Sequence, residues 1–195
     1  MAHLPGKGLR NLDRHLDRLA DSAAYFGFRF ERASAVARLS AAVGGTGPAR
    51  VRVVLSRDGG LDVGTAPLPS PPDCPVRLVV DPAPVDAAQP WLQHKTTRRR
   101  VYTERAAAHP EADDVVLTNQ HGQVTETTIA NLAVLLDGTW WTPPVSAGCL
   151  PGVERGRLLD EGVLLERELT PDDLRAAEGL AVVSSLRGWR DAVLS

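Results

Sequence analysis

A chain of 195 residues, 43% hydrophobic and 24% charged, has an ordinary globular composition, with enough apolar residues for one large core or two small ones. A formal net charge of −2 gives no reason to expect nucleic acid as a partner, and no apolar run reaches the roughly 20 residues of a membrane span. Cys74 and Cys149 have neither metal-ligand nor Cys-x-x-Cys spacing and no secretory leader pattern is seen, so a reduced, cytoplasmic protein without a metal is expected. In chain order, Met1 to Leu9 is short and carries Gly and Pro, with Gly6-Lys7-Gly8 reading as a turn. Apolar residues at 12, 16, 19, 23 and 26 have the helical repeat, with Asn11 placed as N-cap and Gly27 as the stop.

A second helix is predicted over 34–43, ended by Gly44-Gly45, and strands over 50–56 and 61–66, joined by the hairpin signal Asp58-Gly59-Gly60. A third strand is predicted over 75–80, and the proline-rich stretch 67–72 before it is extended and not helical. Asp81-Pro82-Ala83-Pro84 sits at a change of composition and reads as the link between an N-terminal domain, 1–84, and a C-terminal domain, 85–195. The second half predicts a helix over 97–107, whose Arg98-Arg99-Arg100 run reads as a solvated start, then strands over 114–118, 123–126, 132–136 and 139–142. His121-Gly122 and Asp137-Gly138 mark the two hairpin turns among them. A loop over 143–151 leads to a helix over 153–160, a strand over 164–168, a helix over 171–177 and closing strands over 180–184 and 189–193.

Two stretches carry the chemistry. Gln93-His94-Lys95-Thr96-Thr97-Arg98-Arg99 sets a lysine ahead of an arginine-rich helix start, and Val124-Thr125-Glu126-Thr127-Thr128-Ile129-Ala130-Asn131-Leu132 sets a carboxylate in a strand. Alone, each charge reads as a solvated surface residue. Together, a lysine with arginine shortly after it and a Val-Thr-Glu strand turning into Ala-Asn-Leu resemble the class IV pyridoxal-phosphate enzymes. That family includes branched-chain and D-amino-acid aminotransferases and aminodeoxychorismate lyase. The resemblance runs over nearly the whole chain.

The resemblance implies an α+β fold of type IV, with a small, shortened N-terminal α/β domain and a larger C-terminal domain built on a mixed, barrel-like sheet. It implies pyridoxal 5'-phosphate as cofactor, a small amino compound as substrate, and a homodimer. Lys95 corresponds to the catalytic amine that forms an imine with the cofactor, a task that suits a partly neutral lysine. Glu126 corresponds to the carboxylate that keeps the pyridine nitrogen protonated, so that the ring accepts the electron pair of a broken C–H bond. The phosphate falls to three pieces. Arg18, in His15-Leu16-Asp17-Arg18-Leu19, offers a bidentate guanidinium. Gly152, Val153 and Glu154, in Leu150-Pro151-Gly152-Val153-Glu154-Arg155, open a helix whose first amides suit an anion. Ser185, in Ser184-Ser185-Leu186-Arg187-Gly188, offers a hydroxyl. Glu154 stands where the family often has threonine, so its carboxylate has to turn away from a phosphate. Leu150 corresponds to the leucine that packs on one face of the ring.

Branched-chain aminotransferases have tyrosine five positions after the lysine, and here that position is Arg100. Arg99, the Lys95-Thr96-Thr97-Arg98-Arg99 context and the run Ala23-Ala24-Tyr25-Phe26-Gly27-Phe28 resemble aminodeoxychorismate lyases, including the lyase half of fused synthase/lyase chains. The implied reaction is conversion of 4-amino-4-deoxychorismate to 4-aminobenzoate and pyruvate, a step of folate synthesis. Transamination of a branched-chain or D-amino acid is the alternative, and a catalytically silent binding protein is a third reading. Family members usually place two or more strands ahead of the helix that starts here near Leu12, and those strands are missing from this sequence. A sheet edge left open in that way has to be paired by the rest of the chain or by a second subunit.

Overall fold

The first nine residues fold as a hairpin, so two short strands do stand ahead of the first helix, where none was expected, and they pair the open sheet edge from within the chain. Strands β1 (Ala2–Leu4) and β2 (Gly8–Leu9) pair antiparallel across the expected turn, where Gly6 and Gly8 both have positive φ. Helix α1 (Leu12–Phe26) follows, then α2 (Arg32–Val43), β3 (Ala49–Leu55) and β4 (Leu61–Pro67). Together they form an antiparallel sheet of order β2-β1-β3-β4. β1 covers the edge of β3, with the Met1 ammonium donating to Val51 O and the Val51 amide to Met1 O, each at 2.8 Å. The helical stripe read from the sequence turns Leu16 of α1 toward Ala35 and Leu39 of α2, Val51 of β3 and Leu61 of β4. Gly27 ends α1 in the left-handed region as expected. Asn11 also adopts φ 55°, and no side-chain hydrogen bond caps the helix; its backbone carbonyl takes the His15 amide instead.

This computed structural model describes residues 1–45, 47–70 and 74–195, so Pro71 and Pro72 of the proline-rich stretch lie outside the described residues. Two compact units are defined: Met1–Pro71 with Ser185–Arg187, and Pro72–Ser184 with Gly188–Ser195. The division expected after Pro84 therefore falls earlier. Strand β5 (Val76–Val80) is hydrogen bonded within the sheet of the second unit, which outweighs the change of composition at Asp81–Pro84.

The second unit continues with α3 (Pro90–Gln93), α4 (Arg100–Ala108), β6 (Asp114–Thr118), β7 (Val124–Thr127), β8 (Asn131–Leu136) and β9 (Thr139–Thr142). Then come α5 (Val153–Asp160), β10 (Leu165–Glu166), α6 (Pro171–Ala176), β11 (Gly179–Ser184) and β12 (Gly188–Leu194). Its eight strands run in the order β10-β9-β8-β11-β12-β5-β6-β7, with parallel pairs β12/β5, β5/β6 and β9/β10 among antiparallel ones. β10 is shorter than predicted because only Leu165 and Glu166 register with β9.

Connectivity forces this sheet to curl. β7 and β8 stand five strand spacings apart in the order, about 24 Å in a flat sheet. Only residues 128–130 join them, a connection that spans about 14 Å when fully extended. The sheet closes most of the way round, and its inner face is filled by Val76, Leu78, Val116, Val124, Leu132, Val134 and others. The alternate residues Val115 and Leu117 pack outward on Leu92 and Tyr102, and Ala133, Ala181 and Val183 on Leu158. Strands buried on both faces account for the near-continuous apolar runs in the sequence. No helix among the described residues is long and apolar enough to cross a membrane.

Candidate active site

Lys95 sits in the loop between α3 and α4, with its side chain exposed. α3 is too short to show a hydrophobic period and was not anticipated; Pro90 opens it, and the His94 amide closes it on Pro90 O at 2.9 Å. α4 begins at Arg100 and not at Thr97. Thr96 Oγ1 accepts the Arg98 amide at 3.1 Å, a local bond that competes with helical pairing.

The three arginines do not form one solvated face. The Arg98 guanidinium lies 4.3 Å over the Trp91 ring, and Arg100 Nε donates to Glu104 at 2.6 Å. Arg99 turns inward, donating from Nη2 to Thr128 O at 2.7 Å and lying 4.7 Å over the ring of Tyr102.

Glu126 is on β7 and only 4% exposed. Its Oε1 accepts the Tyr102 hydroxyl at 2.6 Å, and its Oε2 faces Asn131 Nδ2 at 3.4 Å. The Leu150 amide also donates to the carboxylate. Burial pushes the carboxyl up to about 7, while the Tyr102 hydrogen bond, the Lys95 charge, the Leu150 amide and the Arg99 charge pull it down. Burial, and then the charge of Glu126, push the Tyr102 phenol far above its ordinary value, so Tyr102 is the donor of the pair.

Asn131 ties this carboxylate to the turn before α5. Its Nδ2 also donates to Leu150 O at 2.9 Å, and a Cβ placed on Gly152 would collide with its Oδ1. Gly152 is the N-cap of α5 at φ −66°, so the glycine is required by the approach of Asn131 and not by backbone strain. Val153 and Glu154 follow, both buried, and the Glu154 carboxylate accepts Arg157 Nη2 at 2.9 Å, one turn along the helix. Arg155 donates to Pro143 O at 2.7 Å and pairs with Glu166. Cys149, just before Leu150, is buried, and burial pushes its thiol up to about 12.

The second unit thus brings Lys95, Glu126, Leu150, Gly152, Val153 and Glu154 into one continuous segment of structure. Arg18 and Ser185 belong to the first unit. There Arg18 is half-buried on α1, and His15, one turn before it, places Nε2 2.8 Å from the Oγ of buried Ser185. The sequence reading passed over Tyr102, Arg99, Asn131 and His15 as site residues. A signal was present for two of them. A strand carboxylate that is buried needs donors, and Asn131 is a polar amide opening an apolar strand while Tyr102 is one of two tyrosines in the chain.

An exposed primary amine near a buried, oriented carboxylate is an arrangement suited to an aldehyde and a basic heterocycle carried by one ligand. Residues 3–193 match the profile of the family described as amino-transferase class IV. A "Putative aminodeoxychorismate lyase" of Schizosaccharomyces pombe is 34% identical over 185 residues, covering 90% of this chain and 80% of that protein. A solved structure of a "Putative amino-acid aminotransferase" from Mesorhizobium loti is 36% identical with a TM-score of 0.94, covering 100% of this chain and 97% of the other. A 4-amino-4-deoxychorismate lyase from Pseudomonas aeruginosa, 22% identical, shares the fold at a TM-score of 0.76 over 95% of this chain and 77% of its own.

Proposed function

The chain belongs to the class IV aminotransferases, a family of pyridoxal-phosphate-dependent enzymes, and within it we propose that this member is a lyase converting 4-amino-4-deoxychorismate to 4-aminobenzoate and pyruvate. The observation that carries the cofactor reading is Glu126, sealed from water, fixed by Tyr102 and influenced by the charge of Lys95. A carboxylate has about four acceptor positions, and the long contact from Asn131 leaves room for a protonated ring nitrogen. The donor set therefore fits. The choice of lyase rests on likeness to the Schizosaccharomyces pombe protein, on Arg99 four positions after Lys95 as in the lyases, and on Arg100 where branched-chain aminotransferases have tyrosine.

Pyridoxal phosphate, when bound, supplies an aldehyde that links to amines and a ring that accepts the electron pair of a broken C–H bond. Glu126 would hold negative charge against the ring nitrogen of the bound cofactor and would keep that nitrogen protonated. Lys95 takes the proton from the substrate carbon that bears nitrogen. It then delivers a proton to the methylene carbon of the enolpyruvyl group as the ether bond to the ring breaks, releasing pyruvate and an aromatic amine. The amides of Val153 and Glu154, at the start of α5 with Gly152, are proposed as phosphate donors, and Leu150 as the residue against the ring. Arg18 and Ser185 are proposed as further phosphate ligands on the family likeness alone. The same reading expects a cytoplasmic homodimer.

Transamination is the second reading, favoured by the likeness to the Mesorhizobium loti protein. Incubating the chain and pyridoxal phosphate with 4-amino-4-deoxychorismate, and separately with D- or branched-chain amino acids plus a keto acid, distinguishes them. Release of 4-aminobenzoate with no amino transfer supports the lyase; the opposite result makes it an aminotransferase. Lys95→Ala is expected to remove the cofactor's visible absorbance band and all turnover while leaving the fold intact. A variant that kept both would end the assignment of Lys95.

A further inference from the structure

Six groups from four directions interact with the Glu126 carboxylate, Tyr102, Asn131 and the Leu150 amide by hydrogen bond and Lys95, Arg99 and Cys149 electrostatically. Tyr102 and Arg99 come from α4 and its N-cap, Lys95 from the loop before it, Asn131 from β8, and Cys149 with the Leu150 amide from the loop before α5. Of the two side-chain hydrogen bonds to Glu126, that from Tyr102, at 2.6 Å, is much the shorter; the Asn131 contact is 3.4 Å. The phenol is itself held. Arg99 lies over its ring and reaches past it to the carbonyl of Thr128, two residues beyond Glu126. α4 and its N-cap are therefore clipped at two points, to the carboxylate on β7 and to the Thr128 carbonyl just beyond that strand.

We propose that Tyr102 is a positioning residue that keeps Glu126 ionised and aimed, with Arg99 holding the phenol in place. For its effect on cofactor this rests on the reading above. A hydrogen bond donated to a carboxylate favours its charged form, and a buried carboxylate that lost its shortest donor would take up a proton at higher pH. Once protonated, Glu126 would offer a hydrogen to a ring nitrogen that needs an acceptor. The phenol is thus the group that decides over which pH range Glu126 can perform its proposed task, without touching the ligand itself.

The test follows the ionisation of Glu126 in the full chain freed of small molecules, by the carbon NMR signal of its carboxyl, assigned by its loss in Glu126→Gln. Tyr102→Phe is expected to raise the midpoint by about one to two pH units, the size of one charge-assisted hydrogen bond. A fluorinated tyrosine at position 102, in a Tyr25→Phe background, is a stronger donor with nearly the same shape, and should lower it. This second substitution carries the test if Tyr102→Phe does not fold. An unmoved midpoint in the folded variants overturns the proposal. Pyridoxal phosphate is then added: Tyr102→Phe should bind it about tenfold more weakly near pH 7, with the deficit shrinking as pH rises. A shifted midpoint in a chain that takes up no pyridoxal phosphate supports the role of Tyr102 and ends the cofactor reading. Normal uptake with an unmoved midpoint does the reverse.

Discussion

Asp114 and Glu126 are both buried carboxylates, on the neighbouring strands β6 and β7, and burial raises both. Their surroundings differ. Asp114 accepts the amides of Val115 and Thr128 and the hydroxyls of Thr127 and Thr128, all neutral donors from its own strand and the adjoining corner. Glu126 has fewer donors, drawn from α4, β8 and the loop before α5, and it alone of the two is drawn down by the charges of Lys95 and Arg99. A carboxylate whose acceptor positions are filled by its own corner is a clasp. One with open acceptor capacity and two cations nearby is arranged to exchange partners with a ligand.

The sharpest way to break this contrast is Glu126→Gln. The neutral amide keeps the shape but not the charge, so turnover is expected to fall by about 10²–10³ while the variant still folds cooperatively. Steady-state rates beside thermal melts check it, and an active variant would make Glu126 a plain strand residue. Asp114→Ala should do the opposite, taking an acceptor from four donors, of which the Thr128 amide and the Thr127 hydroxyl keep a second one at Val115 O and Ala130 O, and lowering stability by about 3 kcal/mol in urea unfolding. Parent-like stability would show that Asp114 is no clasp.

Gly152→Ala sharpens the comparison from the α5 side. The added methyl collides with Asn131, which also faces Glu126, and the expected loss is about 2 kcal/mol of stability with a visible shift in the Asn131 side-chain amide resonances. The last effect concerns pH. Glu126 is raised from 4.5 to about 7 in the folded chain. Between those values the native state holds a proton that the unfolded chain has lost, so stability without ligand falls as pH rises through this window. Glu126→Gln lacks this dependence and should gain on the parent by about 2 kcal/mol between pH 5 and pH 7.5. Parallel stability curves would show that Glu126 does not titrate there.

Much of the local conformation was legible. Asp137-Gly138 does turn at positive φ, the Asp58-Gly59-Gly60 hairpin joins β3 to β4, and the helix predicted over 153–160 is α5 to the residue. These are decided within a few residues by steric limits on φ and by the period of apolar side chains. Short elements were less legible: α3, with four residues, was not read at all, and β10, with two, was read too long as a strand over 164–168, because so few residues show neither period clearly. The domain link was misplaced because a proline-rich composition marks an extended segment but cannot say which sheet the strand before it joins.

The sequence by itself determined the order of the longer helices and strands, the inward stripe of α1, and two charged residues, Lys95 and Glu126, whose motifs pointed to one family. Tertiary structure alone decided what surrounds Glu126. Tyr102 lies 24 residues away along the chain, and it meets the carboxylate only because α4 packs on the outer face of β6, while the short β7–β8 connection curls the sheet until Asn131 and the turn before α5 arrive at the same point. A local pattern can announce a charged residue, but its donors, its desolvation and the state of its proton come from residues distant in sequence, and those are set by how the sheet closes.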